Sequence, residues 1–259
     1  MISRSVRTVL QRGSGINHSS GTRANNEGTE NTMVNGHGNN SRIPVGEIDC
    51  GDLRRMEPVS ARWGFDRGRP IDRYFIEKFL QKHTADVKGY CLEVMNDAYI
   101  RKIGADRVSA SEVLDINAQN PNATIIGDLT DPSTLKLYAF DCFILTQTLP
   151  VIYDGNAVIR NSYAALKPGG VLLITVPAMS RYSPHPEDYW RFTDKSLERL
   201  IADNTDSDDY EIEMHGNLVC SIGFLIGAAS RELEPSELEY YDPRFPIVIA
   251  ARLVKSKAG

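Results

Sequence analysis

The sequence has 259 residues, of which 41% are hydrophobic and 24% are charged, with 20 glycines and 13 prolines. This composition excludes a collagen, a coiled coil and a wholly disordered chain, and the length fits one α/β domain or two small ones. The net charge of -5 is divided unevenly, because residues 1–44 carry +3 and the remainder carries -8. An acidic body has no general attraction for nucleic acid or an anionic membrane.

The first 44 residues differ in composition from the rest. Residues 11–42 contain 20 Gly, Asn, Ser or Thr among 32, and their few apolar residues have no period. Such a segment cannot bury enough apolar surface to offset its ordering entropy, so we predict a disordered polar tail over 1–44. Residues 1–10 contain arginine and serine and are faintly amphipathic, which is also typical of a mitochondrial presequence. A further alternative is that the start codon is assigned too far upstream and that Met33 is the true start.

From residue 58 onward, short apolar runs alternate with helical patterns. Pro70 and Ile71 open the first predicted helix, because proline at the first turn loses no hydrogen bond. The patterns then predict, in chain order, a strand over 90–95, a helix over 97–103, strands over 108–116, 123–126 and 140–145, a helix over 157–166, a strand over 171–176, a helix over 196–201, a strand over 210–214, a helix over 218–233 and a strand over 247–253. Five βα steps followed by a strand, a helix and a strand predict a doubly wound α/β sheet.

The residues that directly follow the strands are the candidates for a binding site, because ligands of doubly wound sheets bind beyond the carboxyl ends of the strands. Asp115 ends the second strand, where one carboxylate can accept hydrogen bonds from both hydroxyls of a ribose. The alternative is that such aspartates only cap turns or helices. Asp131 and Pro132, for example, look like a helix start close to Asp128.

Cysteine usage and apolar run lengths exclude other classes of protein. The four cysteines are scattered and form no Cys/His cluster with zinc spacing, so we expect no metal site. Cys91 and Cys142 lie in apolar runs and are predicted to be buried. No run approaches the ~18–20 apolar residues of a membrane helix, so we expect no membrane span. The apolar helix over 218–229 either covers the sheet edge or forms a homodimer interface.

The stretch FDCFILTQTLPVIYDGNAVIRNSYAALKPGGVLLITVP, residues 140–177, resembles class I S-adenosylmethionine (SAM)-dependent methyltransferases. A strand beginning Phe-Asp, a helix ending Leu-Lys-Pro-Gly-Gly and an apolar strand ending in proline are typical of that family. HPEDYWRFT (185–193) and FDRGRPIDRYFIEKFL (65–80) resemble a type 11-like subgroup that is often encoded beside glycosyltransferases. The resemblance covers residues 58–255. It implies a Rossmann-like doubly wound seven-stranded sheet with the last strand antiparallel, in one domain over 45–259.

The resemblance also implies SAM as the cofactor and S-adenosylhomocysteine as the product. It places cofactor-binding residues at the strand ends: Glu93, Asn96, Asp115, Asp128, Leu129, Thr146 and Gln147. Glu93 would organise the cofactor loop, Asp115 would hold the ribose, and Asp128 with the next backbone N–H would grip the adenine. Thr146 and Gln147 would line the floor under the sulfonium. Each residue also has an alternative without a cofactor. Glu93 would be a strand-end charge that pairs with a basic partner, and Asp115 and Asp128 would cap turns or helices. Thr146 and Gln147 would be ordinary polar residues of a loop.

The first motif departs from the family pattern. The family usually has an acid followed by three glycines at every second position, whereas residues 93–99 read EVMNDAY. Glycines let that backbone take a positive φ and approach the cofactor closely. Asn96 and Asp97 tolerate the left-handed conformation better than most residues, so we predict that they supply part of this geometry. Because of this departure, the alternative of a domain that retains the fold but binds no SAM is kept.

The loop over 179–190 is predicted to cover the acceptor. A hydroxyl acceptor needs a base, and His185 is the one histidine in this loop, a residue type that often acts as a general base, with Asp188 to orient it or to accept the proton itself. The alternative is that this segment only seats the next helix, with Thr193 or Asp194 as its cap. Tyr74 either reaches over the cofactor from the first helix or packs in that helix's own apolar stripe.

We therefore expect a SAM-dependent methyltransferase that acts on a small-molecule or glycan-type acceptor, at oxygen. The alternative is a catalytically inactive methyltransferase-like domain that binds a partner protein. An NAD-dependent oxidoreductase is disfavoured, because GxGxxG is absent after the first strand. No nucleic-acid partner is expected, since no basic stripe with interleaved aromatic residues is visible. The expected location is cytoplasmic, or mitochondrial if residues 1–10 act as a presequence.

Overall fold

The computed structural model describes residues 43–257, so the tail predicted over 1–44 lies almost entirely outside the described residues. The elements named here belong to the compact unit Cys50–Gly259. Within the described residues, seven strands form one sheet: β1 (Gly89–Val94), β2 (Val108–Asp115), β3 (Ile125–Ile126), β4 (Phe140–Thr146), β5 (Leu166–Pro177), β6 (Tyr210–His215) and β7 (Val248–Val254). The α-helices are α1 (Ile71–Lys82), α2 (Gly155–Ala165), α3 (Asp194–Asn204), α4 (Leu218–Ile226) and α5 (Pro235–Glu239).

The strand order is β3-β2-β1-β4-β5-β7-β6. Strands β1 to β5 run parallel, and β7 runs antiparallel to both of its neighbours, β5 and β6. The predicted Rossmann-like doubly wound sheet with an antiparallel last strand is therefore confirmed. The chain winds outward from β1 to β3 and then returns to β4 on the other side of β1. That reversal creates a crevice beyond the carboxyl ends of β1 and β4.

Apolar side chains alternate between the two faces of the sheet. In β4, Phe143 and Leu145 belong to the core cluster that includes α2 and α3, whereas Cys142 and Ile144 belong to the cluster that includes α1 and α4. Helices cover both faces, which explains why central strands such as β4 and β7 are largely continuous apolar runs. The four cysteines are free thiols, and Cys91 and Cys142 are fully buried, as predicted.

The apolar helix predicted over 218–233 ends earlier than expected. Helix α4 stops before Gly227, which takes the left-handed conformation with a φ of +85°. A side chain at that position would lie 2.7 Å from the carbonyl oxygen of Ser60, so glycine is the residue that fits. Leu218, Val219 and Leu225 remain exposed on α4, and the homodimer stays a prediction.

Two other elements differ from their predicted form. The helix predicted over 97–103 is a short π-helix, Ile100–Gly104. Strand β5 begins at Leu166 and includes the LKPGG segment, because residue 166 already pairs with Phe140 of β4. No helix within residues 43–257 is long and apolar enough to cross a bilayer. The cytoplasmic location stays a prediction.

Candidate functional site

A cavity of about 1380 Å³ opens at the carboxyl ends of the parallel strands. The seven residues that the sequence analysis assigned to cofactor binding all line it: Glu93, Asn96, Asp115, Asp128, Leu129, Thr146 and Gln147. Parallel strands end at the same edge of the sheet, so side chains far apart in the sequence meet there. The cavity is larger than the roughly 300–1,000 Å³ that one small ligand occupies. It therefore has room for two molecules side by side.

Glu93, near the end of β1, is buried to 2% exposure. Its Oε2 accepts hydrogen bonds from the backbone N–H groups of Tyr99 at 3.1 Å and Ile100 at 2.9 Å. Burial raises the pKa of the Glu93 carboxyl to about 7, although these two N–H groups favour the ionised form. The side chain thus holds the start of the π-helix against β1 and fixes the loop between them.

The left-handed backbone of the loop after β1 lies at Met95, not at Asn96 or Asp97 as predicted. Met95 has a φ of +71° and is 63% exposed, and neither of the next two residues has a positive φ. Asn96 instead accepts a hydrogen bond from the N–H of Ala98 at 3.0 Å, and Asp97 pairs with Arg101 at 2.8 Å. Met95 occupies the position where the family pattern has its first glycine.

Replacing Met95 by glycine is expected to stabilise the protein relative to a Met95→Ala variant by about 1 kcal/mol. Both variants lose the same exposed side chain, but alanine keeps the left-handed cost of roughly 1–2 kcal/mol, which glycine does not have. Urea unfolding of the two variants measures the difference in the free energy of unfolding. A Met95→Gly protein that is less stable than Met95→Ala would contradict a left-handed Met95.

Asp115 connects the ends of β1 and β2. Its Oδ1 accepts the backbone N–H of Asn117 at 2.9 Å, and its Oδ2 accepts from Nδ2 of Asn120 at 2.6 Å. The same amide donates to the carbonyl oxygen of Met95 at 2.7 Å. A half-buried carboxylate is thus held in place at the cavity wall, with acceptor capacity left on both oxygens.

Asp128 and Leu129 follow β3. Oδ1 of Asp128 accepts both the N–H and the hydroxyl of Thr130, each at 2.8 Å, and Oδ2 takes no part in these bonds. Leu129 is 4% exposed, and its carbonyl oxygen accepts from Nδ2 of Asn161 at 3.0 Å. The helix start expected at 131–132 is instead a turn, in which Asp131 accepts the N–H and hydroxyl of Ser133.

Gln147 carries an unusual polar atom. Its backbone is left-handed, with a φ of +51°, and its N–H donates to the carbonyl oxygen of Thr175 at 2.8 Å. The side-chain Nε2 is buried and has no hydrogen-bond partner among the described residues. Leaving a buried amide donor unpaired costs about 1–3 kcal/mol. An acceptor atom on a molecule in the cavity would remove that cost.

The two residues predicted to act as base do not line the cavity. His185 is exposed, and its carbonyl oxygen accepts from the hydroxyl of Ser183. The side chain of Asp188 is 6% exposed and pairs with both terminal nitrogens of Arg191 at 2.6 Å. Hydrogen bonding from Arg191 lowers the pKa of Asp188, which favours its role as a permanent anion that shapes the loop. Their catalytic role stays a prediction.

Three other residues of this loop do face the cavity: Pro186, Glu187 and Tyr189. The carboxylate of Glu187 accepts a hydrogen bond from the hydroxyl of Tyr189. The Tyr189 ring lies edge-on to Tyr153 at 5.6 Å between centroids, and Tyr153 lies 5.8 Å from Trp190. Between 41% and 71% of each of these three aromatic residues is exposed, so they form an open aromatic rim.

The sequence analysis missed the basic part of the cavity lining. Arg69, Arg73 and Lys102 line it together with Glu77, whose Oε2 pairs with Arg69 at 3.1 Å and with Lys102 at 2.8 Å. Arg73 and Glu77 are four residues apart within α1, a spacing that places their side chains on one helix face and was the available signal, whereas Arg69 precedes the helix. Tyr74 does not line the cavity, and its hydroxyl donates to Glu239.

The segment that precedes α3 also seats that helix, which was the alternative role predicted for it. Thr193 caps α3, since its hydroxyl oxygen accepts a hydrogen bond from the N–H of Ser196 at 3.1 Å. In turn, the hydroxyl oxygen of Ser196 accepts one from the N–H of Thr193 at 2.9 Å. This capping box confirms Thr193 as the cap. It fixes the end of the loop that carries Glu187 and Tyr189.

Comparisons with known proteins give structural likeness only. No protein-family model matches the chain, and no curated protein matches its sequence. A SAM-dependent methyltransferase from Archaeoglobus fulgidus is similar over 71% of this chain and 94% of its own, at 11% identity and a TM-score of 0.49. A SAM-dependent methyltransferase from Thermotoga maritima is similar over 71% and 93%, at 14% identity and a TM-score of 0.47.

Two further solved structures show how varied the similar proteins are. Phosphoethanolamine N-methyltransferase 2 from Haemonchus contortus, in complex with SAM, is similar over 77% of this chain and 60% of its own, at 13% identity and a TM-score of 0.46. The [4+2]-cyclase SpnF is similar over 71% and 82%, at 13% identity and a TM-score of 0.47. A fold does not by itself determine a function, so the site has to carry any argument about function.

Proposed function

We propose that this chain is a SAM-dependent methyltransferase that methylates an oxygen of a small-molecule or glycan-type acceptor. One observation carries the proposal. Three carboxylates near or after the ends of three neighbouring strands, those of Glu93, Asp115 and Asp128, line a single cavity together with the unpartnered amide of Gln147. SAM donates hydrogen bonds from its ammonium group, its two ribose hydroxyls and its adenine amine. Carboxylates are the acceptors that suit these three donors.

Each end of the cofactor has a chemical complement in the cavity lining. Glu93 would attract the ammonium group, Asp115 would accept the ribose hydroxyls, and Asp128 would accept the adenine amine beside the apolar Leu129. The guanidinium groups of Arg69 and Arg73 supply positive charge for a carboxylate. These residues therefore fit SAM, although the loop after β1 has no glycine.

When bound, SAM supplies an electrophilic methyl group. The chain's own contribution is to hold the acceptor close to the methyl group and aligned with it. Such positioning lowers the activation barrier by up to about 7–11 kcal/mol in favourable intramolecular reactions. A hydroxyl acceptor also has to lose a proton. In the loop over 179–190, Glu187 is the carboxylate that lines the cavity, so we assign the role of general base to it. Asp188 then acts as a positioning residue through its ion pair with Arg191.

The aromatic rim supports a ring-shaped acceptor. Tyr153 and Tyr189 line the cavity, and Trp190 extends their surface outward. Exposed aromatic faces pack well against the apolar face of a sugar or of another aromatic ring, while their polar atoms remain available for hydrogen bonds. A small-molecule or glycan-type acceptor is therefore favoured over a nucleic acid, which would call for an extended basic groove.

Binding of S-adenosylhomocysteine tests the proposal. At a concentration of about 100 times Kd, the product is expected to stabilise the full chain by about 2.7 kcal/mol, read as a rise in Tm, with one molecule bound in calorimetry. A Glu187→Gln variant is the matched control. It is expected to bind the product as the wild type does and to lower methyl transfer by about 10²–10⁴-fold. A folded protein that binds no S-adenosylhomocysteine would overturn the proposed function.

The inactive, partner-binding alternative has observations in its favour. Met95 is left-handed at a position where a glycine is expected, and neither His185 nor Asp188 faces the cavity. A non-catalytic domain would bind S-adenosylhomocysteine weakly or not at all. It would also retain its biological activity when Glu187 is replaced by glutamine. Loss of activity in that variant, with unchanged Tm, would contradict the alternative.

A further inference from the structure

A cluster of nitrogen and oxygen donors lies away from the cavity, where the end of α1 meets the edge strand β6. Glu211 and Glu213 are two residues apart on β6, so their side chains project from the same face of the sheet. The side chain of His83, the residue after α1, is 7% exposed and points its Nε2 at both carboxylates. None of these three residues lines the large cavity.

The distances within this cluster are those between ligands of one metal ion. Nε2 of His83 lies 3.5 Å from Oε1 of Glu211 and 3.4 Å from Oε1 of Glu213. Two ligands bound tetrahedrally to Zn²⁺ at about 2.1 Å are roughly 3.4 Å apart. One donor atom from each of the three residues fits within 4.8 Å of the others. An ion could therefore bind with little movement of the backbone.

The second nitrogen of the His83 ring provides an independent observation. Nδ1 faces Oδ2 of Asp86 at 3.7 Å, and that same carboxylate oxygen accepts from Nε of Arg252 at 2.8 Å. A carboxylate behind the other nitrogen orients a metal-binding histidine and keeps its free nitrogen toward the ion. The burial of His83 and the anchored Asp86 thus fix the direction in which Nε2 points.

Lys82 is the cation that neutralises the two carboxylates in this structure. Its Nζ lies 3.1 Å from Glu211 and 2.5 Å from Glu213. The side chain is 52% exposed, so the ammonium group can move into water when a divalent ion arrives. A divalent cation therefore competes with Lys82, and removing the lysine charge should strengthen its binding.

We propose that His83, Glu211 and Glu213 form a binding site for a divalent transition-metal cation, with Zn²⁺ as the best match. One imidazole and two carboxylates suit Zn²⁺, and water completes the coordination from the open side. The bound ion joins the carboxyl end of α1 to the edge strand β6 and so stabilises the edge of the sheet. The proposal does not depend on methyl transfer.

Calorimetric titration of the full chain with Zn²⁺ tests the proposal. We expect one Zn²⁺ to bind per chain and to raise Tm, and we expect Lys82→Met to bind it at least tenfold more tightly than the wild type. His83→Gln is expected to weaken binding at least tenfold, whereas His185→Gln, which removes an exposed histidine elsewhere, should leave the affinity unchanged. Glu211→Gln, at a more exposed ligand, tests the same site if His83→Gln does not fold.

Two results would overturn the site. One is the absence of Zn²⁺ binding in both the wild type and Lys82→Met. The other is binding that His83→Gln and Glu211→Gln leave as tight as in the wild type, since the ion would then be held by other residues.

Discussion

The Asp115→Asn protein is expected to bind S-adenosylhomocysteine about a hundredfold more weakly than the wild type. Asp115 ends β2 at the cavity wall, and both of its oxygens have acceptor capacity left for a ligand. Hydrogen bonds to a charged group contribute about 1.5–3 kcal/mol each. Losing the charge, and one of two such bonds, removes roughly 3 kcal/mol, and this corresponds to about a hundredfold in Kd.

The asparagine variant keeps one of the two bonds that hold Asp115 and loses the bond from Asn120, so the Tm of the unliganded variant measures that structural cost. Its side-chain oxygen can still accept the N–H of Asn117, the bond that holds the end of β2 in wild type. Asp131→Asn is the matched control, because Asp131 makes a similar turn contact to Ser133 but does not line the cavity. Calorimetry with S-adenosylhomocysteine and the Tm of each unliganded protein are the measurements.

Either of two outcomes would contradict the role of Asp115. Asp115→Asn could bind the product as tightly as the wild type does, or Asp131→Asn could lose just as much affinity. The first outcome would mean that the ribose hydroxyls are held elsewhere. The second would mean that the loops after β2 and β3 respond to any change of charge.

Sequence reasoning predicted the sheet because its central strands are largely continuous apolar runs, although β6 alternates apolar and polar residues. An almost wholly apolar run such as VLLITV at 171–176 is typical of a parallel strand that is buried on both faces of its sheet. The parallel arrangement then places the strand ends at one edge, so residues such as Asp115 and Asp128 could be assigned to a shared site before any distance was known.

The parts that the sequence did not predict depend on contacts between distant residues. The left-handed Met95 has no glycine to mark it, and its carbonyl oxygen is held by Asn120, 25 residues away. The loop over 179–190 takes its form from the Asp188–Arg191 ion pair, which turns Asp188 away from the cavity and leaves Glu187 facing it. No local pattern shows which of two neighbouring acids will make that pair.

The His83, Glu211 and Glu213 cluster escaped the sequence analysis for a similar reason. A search for zinc spacing looks for ligands within a few residues of one another, and the histidine here is 128 and 130 positions from the two glutamates. The sheet order brings them together, because β6 is the edge strand and the end of α1 packs beside it. A metal site whose ligands lie on separate elements can be recognised only from the tertiary structure.

The free energy of unfolding is expected to fall by about 3 kcal/mol as the pH rises from about 4.5 to above 7, through Glu93 alone. The buried carboxyl has a pKa of about 7 in the folded protein and about 4.5 when unfolded. Since the folded state binds this proton more tightly, its contribution is full below pH 4.5 and is lost as the pH rises through 7. A shift of about 2.5 units corresponds to roughly 3 kcal/mol.

A Glu93→Gln variant isolates this contribution from those of other titrating groups. Glutamine keeps an oxygen for the N–H groups of Tyr99 and Ile100 but carries no charge. The difference in unfolding free energy, variant minus wild type, should therefore rise by about 3 kcal/mol between pH 4.5 and pH 8. Urea unfolding at several pH values gives that difference, and a pH-independent difference would show that Glu93 is ionised throughout.

Ligand binding should reverse the preference of Glu93 for its proton. The ammonium group of S-adenosylhomocysteine near Glu93 favours the carboxylate, so binding below pH 7 is expected to release a proton from the wild type. Calorimetry in two buffers of different ionisation enthalpy measures that proton, and Glu93→Gln should release none. If the wild type releases no proton at pH 6 yet binds the product, the ammonium group lies elsewhere in the cavity. The unpaired charge of Glu93 would then lower stability at neutral pH without contributing to affinity.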